Sequence, residues 1–328
     1  MALKFVYVLV STENDFIVEQ TLVSIHSLRM YNPKAYVSIV LDKVTLEGLS
    51  DTRAKIKEYA NEIITPDVPD GLSAMQKSRY IKTSIREIVE GDLLYIDNDT
   101  VILGNLDGLE NLTCDVGAVE IPFRGYKGNN NRHSMLNGYQ RITGKDIEED
   151  TRIDIYLNGG VILAKDTKPA HDFFAKWHEL WWKSSTRLGY DKDQPDMWKA
   201  NKMLGNMIEK LDWEYNCMAI NQICALQFLN EAKIFHYFSS SGGANHIKLK
   251  DPSYLSNIRG KGITKETEDY IRNLKQHYQR GIEVLMGNEI EEYYSPIVAV
   301  ARNLHDNRIL NRLIIFIAGI YNKIKLKN

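Results

Sequence analysis

Leu93-Leu94-Tyr95-Ile96-Asp97-Asn98-Asp99-Thr100-Val101 is four apolar residues running without a break into two carboxylates spaced i, i+2. A short apolar run of this kind suits a strand buried on both faces of a sheet. In open α/β sheets, ligands gather beyond the carboxyl ends of the strands, and Asp97 and Asp99 stand at such an end. Two carboxylates so spaced can reach one hard cation through oxygen. A cation there can neutralise phosphate oxygens and stabilise a diphosphate leaving group. Strand-ending aspartates also make plain turn hydrogen bonds, so the triplet has to be weighed with the rest of the chain.

Upstream, strand and helix patterns alternate. Phe5–Val10 is an apolar run, and after the polar turn Ser11–Asp15 the residues Val18, Leu22, Ile25 and Arg29 recur at helical spacing until Asn32-Pro33. Val37, Ile39 and Leu41 alternate as a strand ending at Asp42. A second helical stretch leads to a short strand at Glu62–Thr65 and a Pro/Asp/Gly loop through Gly71. Ile81, Ile85, Ile88 and Val89 mark a further helix, ended by Gly91. This β-α-β alternation predicts an α/β fold with a mostly parallel sheet flanked by helices.

Downstream, Val116–Ile121 reads as a strand, residues 123–150 as a long loop, and Tyr156–Ala164 as a strand broken by Asn158-Gly159-Gly160. Phe173, Phe174, Trp177, Leu180 and Trp181 fall on one face of a helix opening near Pro169, and Ile234–Phe238 is a last strand. From about residue 251 the pattern is all-helical. The chain is accordingly expected to hold an α/β domain over 1–250 and a helical extension over 251–328.

Composition sets the class. Apolar residues make up 44% and charged residues 26%, as in an ordinary folded protein, and the net charge of −2 offers no basic field for nucleic acid. Cys114, Cys217 and Cys224 form no CxxC pair, which argues against a disulfide framework and a cysteine zinc site. The first residues lack the longer apolar core of a signal peptide, and no run reaches the ~18 apolar residues of a spanning helix. A cytoplasmic protein is the expectation.

Two chemistries fit Asp97-Asn98-Asp99-Thr100-Val101: metal binding, and the DxDx(T/V) loop of haloacid-dehalogenase-type phosphatases, whose first Asp is a nucleophile. In the phosphatases the motif follows the first strand of the core, whereas several β-α units precede it here. Further elements stand in order along the chain: Arg79 before Asp97, then Tyr156-Leu157-Asn158-Gly159-Gly160-Val161, Asp193-Gln194-Pro195 and Ile234-Phe235-His236-Tyr237. With these, residues 4–240 resemble the family 8 glycosyltransferases, retaining enzymes with a GT-A fold.

The resemblance implies roles. Asp97, Asp99 and His236 would be metal ligands, a set that suits Mn²⁺ (or Mg²⁺) better than zinc. Arg79 and Lys82, three apart on one helical face, would hold sugar or diphosphate oxygens. Asn98 and Asn158 would face the donor, with Gly159 and Gly160 letting the backbone approach it closely. Asp193 and Gln194 would sit beneath the anomeric carbon. Thr12 and Asp15 would bind the uridine, although such residues also cap helices. Family members often place a glycine and then Lys-Pro-Trp after the late histidine. Here Tyr237-Phe238-Ser239-Ser240-Ser241-Gly242-Gly243 follows, no Pro-Trp appears, and Lys248 is the candidate lysine; Gly159 stands where Ala or Ser is usual. The expected partners are a UDP-sugar donor and a saccharide or lipid-linked acceptor. A sugar-nucleotide-binding protein without turnover is the non-enzymatic alternative.

At the C-terminus, Leu310, Leu313, Ile314, Ile317, Ile320, Tyr321 and Ile324 repeat at helical spacing between Arg302, Arg308, Arg312 and Lys323, Lys325, Lys327. Such a helix docks on its own core or a second subunit, or lies in the inner membrane interface; docking is the favoured reading.

Overall fold

The computed structural model describes residues 3–121, 157–219, 229–239 and 247–276. Ten strands appear among them. They are β1 (Lys4–Leu9), β2 (Tyr36–Leu41), β3 (Glu62–Ile64), β4 (Leu93–Ile96), β5 (Thr100–Ile102), β6 (Val116–Glu120), β7 (Leu157–Ala164), β8 (Glu209–Leu211), β9 (Cys217–Met218) and β10 (Ile234–His236). The larger sheet has the order β3-β2-β1-β4-β7-β6-β8. Every pairing in it is parallel except those made by β7, which runs against both β4 and β6. The expected mixed, mostly parallel sheet is therefore present.

Its strands are buried on both faces because their side chains alternate between two apolar layers. Phe5, Tyr7 and Leu9 of β1 join Val37, Ile39, Leu94 and Ile96 on one side. Val6, Val8 and Val10 join Val40, Leu93, Tyr95 and Ile162 on the other. At roughly 1.5–3 kcal/mol for each fully buried aliphatic side chain, this continuity fixes the central strand order.

Helix α1 (Ile17–Tyr31) follows β1, and three short helices, α2 (Lys43–Gly48), α3 (Asp51–Ala54) and α4 (Ile56–Tyr59), replace the single helix expected after β2. The helix expected before β4 is likewise divided at Ser84, into α5 (Ala74–Thr83) and α6 (Ile85–Ile88). A capping box of Ser73 and Gln76 starts α5. Helix α7 (Lys168–Leu188) opens with Pro169 and ends on left-handed Gly189. It buries Phe173, Phe174, Trp177 and Trp181. Helix α8 (Gln194–Met203) begins at the Asp193 turn.

By its internal contacts the chain divides after Lys275. Helices α9 (Pro252–Lys261) and α10 (Lys265–Arg272) belong to the first unit. Arg259 of α9 reaches Glu19 Oε1 at 2.7 Å and the Glu13 carbonyl at 3.0 Å, and lies 4.5 Å over the Phe16 ring. No helix among the described residues is long and apolar enough to cross a membrane. The 123–150 loop, Cys224, Gly242, Gly243 and the apolar repeat of residues 310–324 lie outside the described residues.

Candidate active site

The chain leaves the large sheet at Ile96 and enters a second, three-stranded sheet, ordered β5-β10-β9, at Thr100. Asp97-Asn98-Asp99 is the connector between the two sheets. Pairing in each sheet then brings it partners. On β7, Val161 is opposite Ile96, and the Asp97 N–H donates to the Gly160 carbonyl at 2.7 Å. On β10, His236 is opposite Thr100. Residues distant in sequence thus meet because two short strands begin and end at one point.

Asp97, Asp99 and His236 each offer a ligand atom, and these atoms lie within 4.8 Å of one another. Each carboxylate has one oxygen tied back. Asp97 Oδ1 accepts from the Tyr95 hydroxyl and from Lys82 Nζ at 3.2 Å, which leaves Oδ2 at 4.0 Å from His236 Nε2. Asp99 Oδ2 accepts from the Ser239 backbone N–H at 2.8 Å and from its hydroxyl at 3.0 Å. Asp99 Oδ1 then sits 3.1 Å from His236 Nε2. Burial opposes ionisation of Asp99, but His236 and the two Ser239 donors outweigh it and hold the carboxyl well below its ordinary range. The donor set, two carboxylates and one imidazole, suits a hard or borderline divalent cation at metal–oxygen distances of about 2.0–2.6 Å.

A cavity of about 410 Å³ opens over this cluster. It is lined by Asp97, Asn98, Asp99 and His236, by Arg79 and Lys82 from α5, by Asn158, Gly159 and Gly160 from β7, and by Asp193 and Gln194. Arg79 Nε pairs with Asp193 Oδ1 at 3.1 Å, and Lys82 Nζ reaches Asp193 Oδ2 at 3.4 Å. The two cations share one helical face, as their spacing indicated. Burial would raise the Asp193 carboxyl, yet Arg79 and Lys82 keep it below its ordinary value. Asp193 in turn raises Arg79.

Helix α7 explains the tryptophans. Trp177 Nε1 donates to the Asp193 carbonyl at 2.9 Å and Trp181 Nε1 to the Asp191 carbonyl at 3.1 Å, both rings being buried. They anchor the turn that carries Asp193 from below. Beneath that turn Asp196 is fully buried, with Ser184, at 3.0 Å, as its only side-chain hydrogen-bond donor among the described residues. Burial pushes its carboxyl up to about 7. A native carboxyl that holds its proton more tightly than the unfolded chain's loses stability as pH rises from about 4 to 7. Asp196→Asn is expected to melt several degrees above the parent at pH 8, with the gap shrinking at pH 5, as differential scanning calorimetry will show.

Strand β7 carries a bulge against β6 where it lines the cavity. Ala118 pairs with Ile162 but Glu120 pairs with Leu157, so Asn158–Val161 bulges against β6 while Val161 stays paired with β4. Asn158 Oδ1 closes the loop by accepting the Gly160 N–H at 2.8 Å. Asn98 lines the cavity and also ties the connector to β1: its Nδ2 donates to the Val8 carbonyl at 2.9 Å, while its buried Oδ1 has no hydrogen-bond partner among the described residues.

Three expected residues lie elsewhere. Thr12 and Asp15 do not line the cavity; Asp15 accepts from Ser11 Oγ at 2.5 Å, from Thr12 N at 2.6 Å and from Ile17 N at 3.1 Å, folding the β1–α1 loop on itself. Lys248 sits 5.8 and 5.6 Å over the rings of Tyr254 and Tyr270 and 3.8 Å from Glu266. Two residues on, the part-buried Lys250 lies within electrostatic reach of Asp99.

A family model described as glycosyl transferase family 8 matches residues 2–243. The chain belongs to glycosyl transferase family 8. The family implied by the order of the motifs is the family found, and the mixed sheet between helices is its GT-A arrangement. Similar solved structures include the galactosyltransferase LgtC with donor and acceptor sugar analogues, at 14% identity over 81% of this chain and 99% of that one, TM-score 0.49. Mouse xyloside xylosyltransferase 1 is similar at 14% identity over 72% and 97%, TM-score 0.47. GlyE of Streptococcus pneumoniae is similar at 17% identity over 80% and 65%, TM-score 0.47. No curated protein sequence matches the chain. Membership sets aside the phosphatase and non-catalytic readings: this family 8 protein is a glycosyltransferase.

The sequence missed Tyr95, Ser239, Phe238 and Asn216. Tyr95 had a signal, because residues two apart on a strand share a face, so Tyr95 had to accompany Asp97. Phe238 folds back on left-handed backbone (φ 51°) and stacks on the His236 ring at 3.8 Å.

Proposed function

We propose that this glycosyltransferase moves a hexose from a UDP-sugar to a saccharide or lipid-linked acceptor with retention at the anomeric carbon, assisted by Mn²⁺ or Mg²⁺. One observation carries the proposal: three ligand atoms from Asp97, Asp99 and His236 converge at the floor of a cavity whose wall holds Arg79 and Lys82. Anionic ligands on one side and cations on the other suit a metal–diphosphate pair, and would not suit an uncharged sugar alone.

Bound there, the divalent ion would act as a Lewis acid on the donor's diphosphate. The chain's own groups do the rest. Arg79 and Lys82 place fixed positive charge where the leaving group gains negative charge, and preorganised charge of this kind is a large catalytic factor. Asp193 stays ionised between them and orients the sugar, with Gln194 beside it. Asn158 offers its amide to the sugar. Lys250, which feels the charge of Asp99, would add positive charge on that side.

The test is donor turnover. With Mn²⁺ and UDP-glucose or UDP-galactose, UDP release is expected to require the metal and to rise with a suitable acceptor, giving a product whose anomeric configuration, read by NMR, matches the donor's. Metal-independent release, or an inverted product, would overturn the proposal.

A further inference from the structure

Asn216 lies in the turn before β9, is fully buried, and belongs to no motif. Its side chain touches two proposed site residues at once. Asn216 Nδ2 donates to Asn158 Oδ1 at 2.9 Å, and Asn216 Oδ1 lies 3.2 Å from His236 Nδ1. One unambiguous donor orients the whole chain of groups. The Gly160 backbone N–H can only donate, so the Asn158 atom 2.8 Å away must be its oxygen. That oxygen then faces the Asn216 nitrogen, and Asn216 turns its own oxygen to His236. A carbonyl oxygen only accepts, so His236 Nδ1 carries a proton whatever Nε2 does, and Nε2 is the nitrogen turned to Asp97 and Asp99, where without a metal it faces the acceptor Asp99 Oδ1 at 3.1 Å. By the same logic both acceptor directions of Asn158 Oδ1 are used, and its Nδ2 is the group left for the cavity.

We infer that Asn216 is a positioning residue that sets both halves of the site: it fixes His236 in the Nδ1–H form with Nε2 aimed at the metal position, and it turns the Asn158 amide so that an N–H donor meets the donor sugar. The inference rests on the metal-assisted reading above, but the Nδ1 proton can be tested apart from it. Partners of metal-ligating histidines typically change metal affinity 10–100-fold when removed.

Three measurements on the full chain test it. In metal-free protein with ¹⁵N-labelled histidine, the His236 ring, identified by its loss in His236→Gln, is expected to carry a proton on Nδ1, whatever the state of Nε2. Titrating Mn²⁺ into Asn216→Leu should give about 10–100-fold weaker binding than wild type. Asn216→Asp should bind Mn²⁺ within about threefold of wild type, because a carboxylate still accepts the Nδ1 proton, yet show a donor KM raised about tenfold, because it cannot donate to Asn158. Circular dichroism melts show that each variant folds; Asn216→Asp carries the test if the leucine variant does not. Wild-type affinity for Mn²⁺ in Asn216→Leu, an unchanged donor KM in Asn216→Asp, or a His236 ring with no proton on Nδ1 overturns the inference. Failure of wild type itself to bind Mn²⁺ overturns the metal reading and leaves the Nδ1–Asn216 contact to the NMR result.

Discussion

Asp99→Ala is expected to lower donor turnover by at least about 10²–10³-fold, the scale on which removing one fixed electrostatic element of an active site acts. The loss has two sources. The Asp99 oxygen beside His236 Nε2 disappears, leaving two of the three proposed ligands. The other oxygen, which binds both Ser239 donors, also disappears, so the chain after β10 loses its tie to the connector. Asp99→Asn separates the two. Its amide oxygen can still accept from Ser239 while the charge is gone, so it should melt within a few degrees of wild type and still lose most of its activity. Steady-state UDP release at saturating Mn²⁺, with a calorimetric melt of each variant, makes the comparison.

Gly160→Ala should be nearly as damaging, for a steric reason. A Cβ at 160 would stand 2.3 Å from His236 Cε1 and 2.7 Å from Nδ1, far inside contact distance. The ring has little room to retreat, being stacked on Phe238 and held by Asn216. Overpacking of a filled site costs about 1–3 kcal/mol, and displacement of the imidazole should weaken Mn²⁺ binding about 10–100-fold. At the neighbouring position a Cβ would meet Met197 Sδ at 3.5 Å and Lys82 Nζ at 3.6 Å, which is ordinary contact. Gly159→Ala should therefore keep the melting point and Mn²⁺ affinity of wild type, in keeping with the Ala or Ser usual there in the family pattern. Calorimetric Mn²⁺ titration of the two variants side by side checks the contrast; equal behaviour would contradict it.

Much of this was legible in the sequence because the signals were local. The apolar runs of β1 and β4 demanded two-sided burial, and the i, i+3 spacing of Arg79 and Lys82 put them on one face of α5. Direction and pairing were not legible. Nothing in Leu157–Ala164 says that β7 runs antiparallel, and Thr100–Ile102 is too short to show that the chain changes sheets at the triplet. Asp193-Gln194-Pro195 reads as a turn and is one, but a turn into α8, where proline in the first helical turn costs no hydrogen bond. Asn216 left no local trace, since its role is made by partners 58 and 20 residues away.

The central claim is that Asp97, Asp99 and His236 hold a divalent cation against a nucleoside diphosphate. Thermal melting of the wild-type chain with UDP, with Mn²⁺ and with both tests it most directly, because a ligand bound only by the native state raises the melting point by mass action. The account predicts a rise with UDP and Mn²⁺ together that clearly exceeds the sum of the rises with either alone. No rise with both, or an equal rise with UDP when the metal is chelated away, would contradict it.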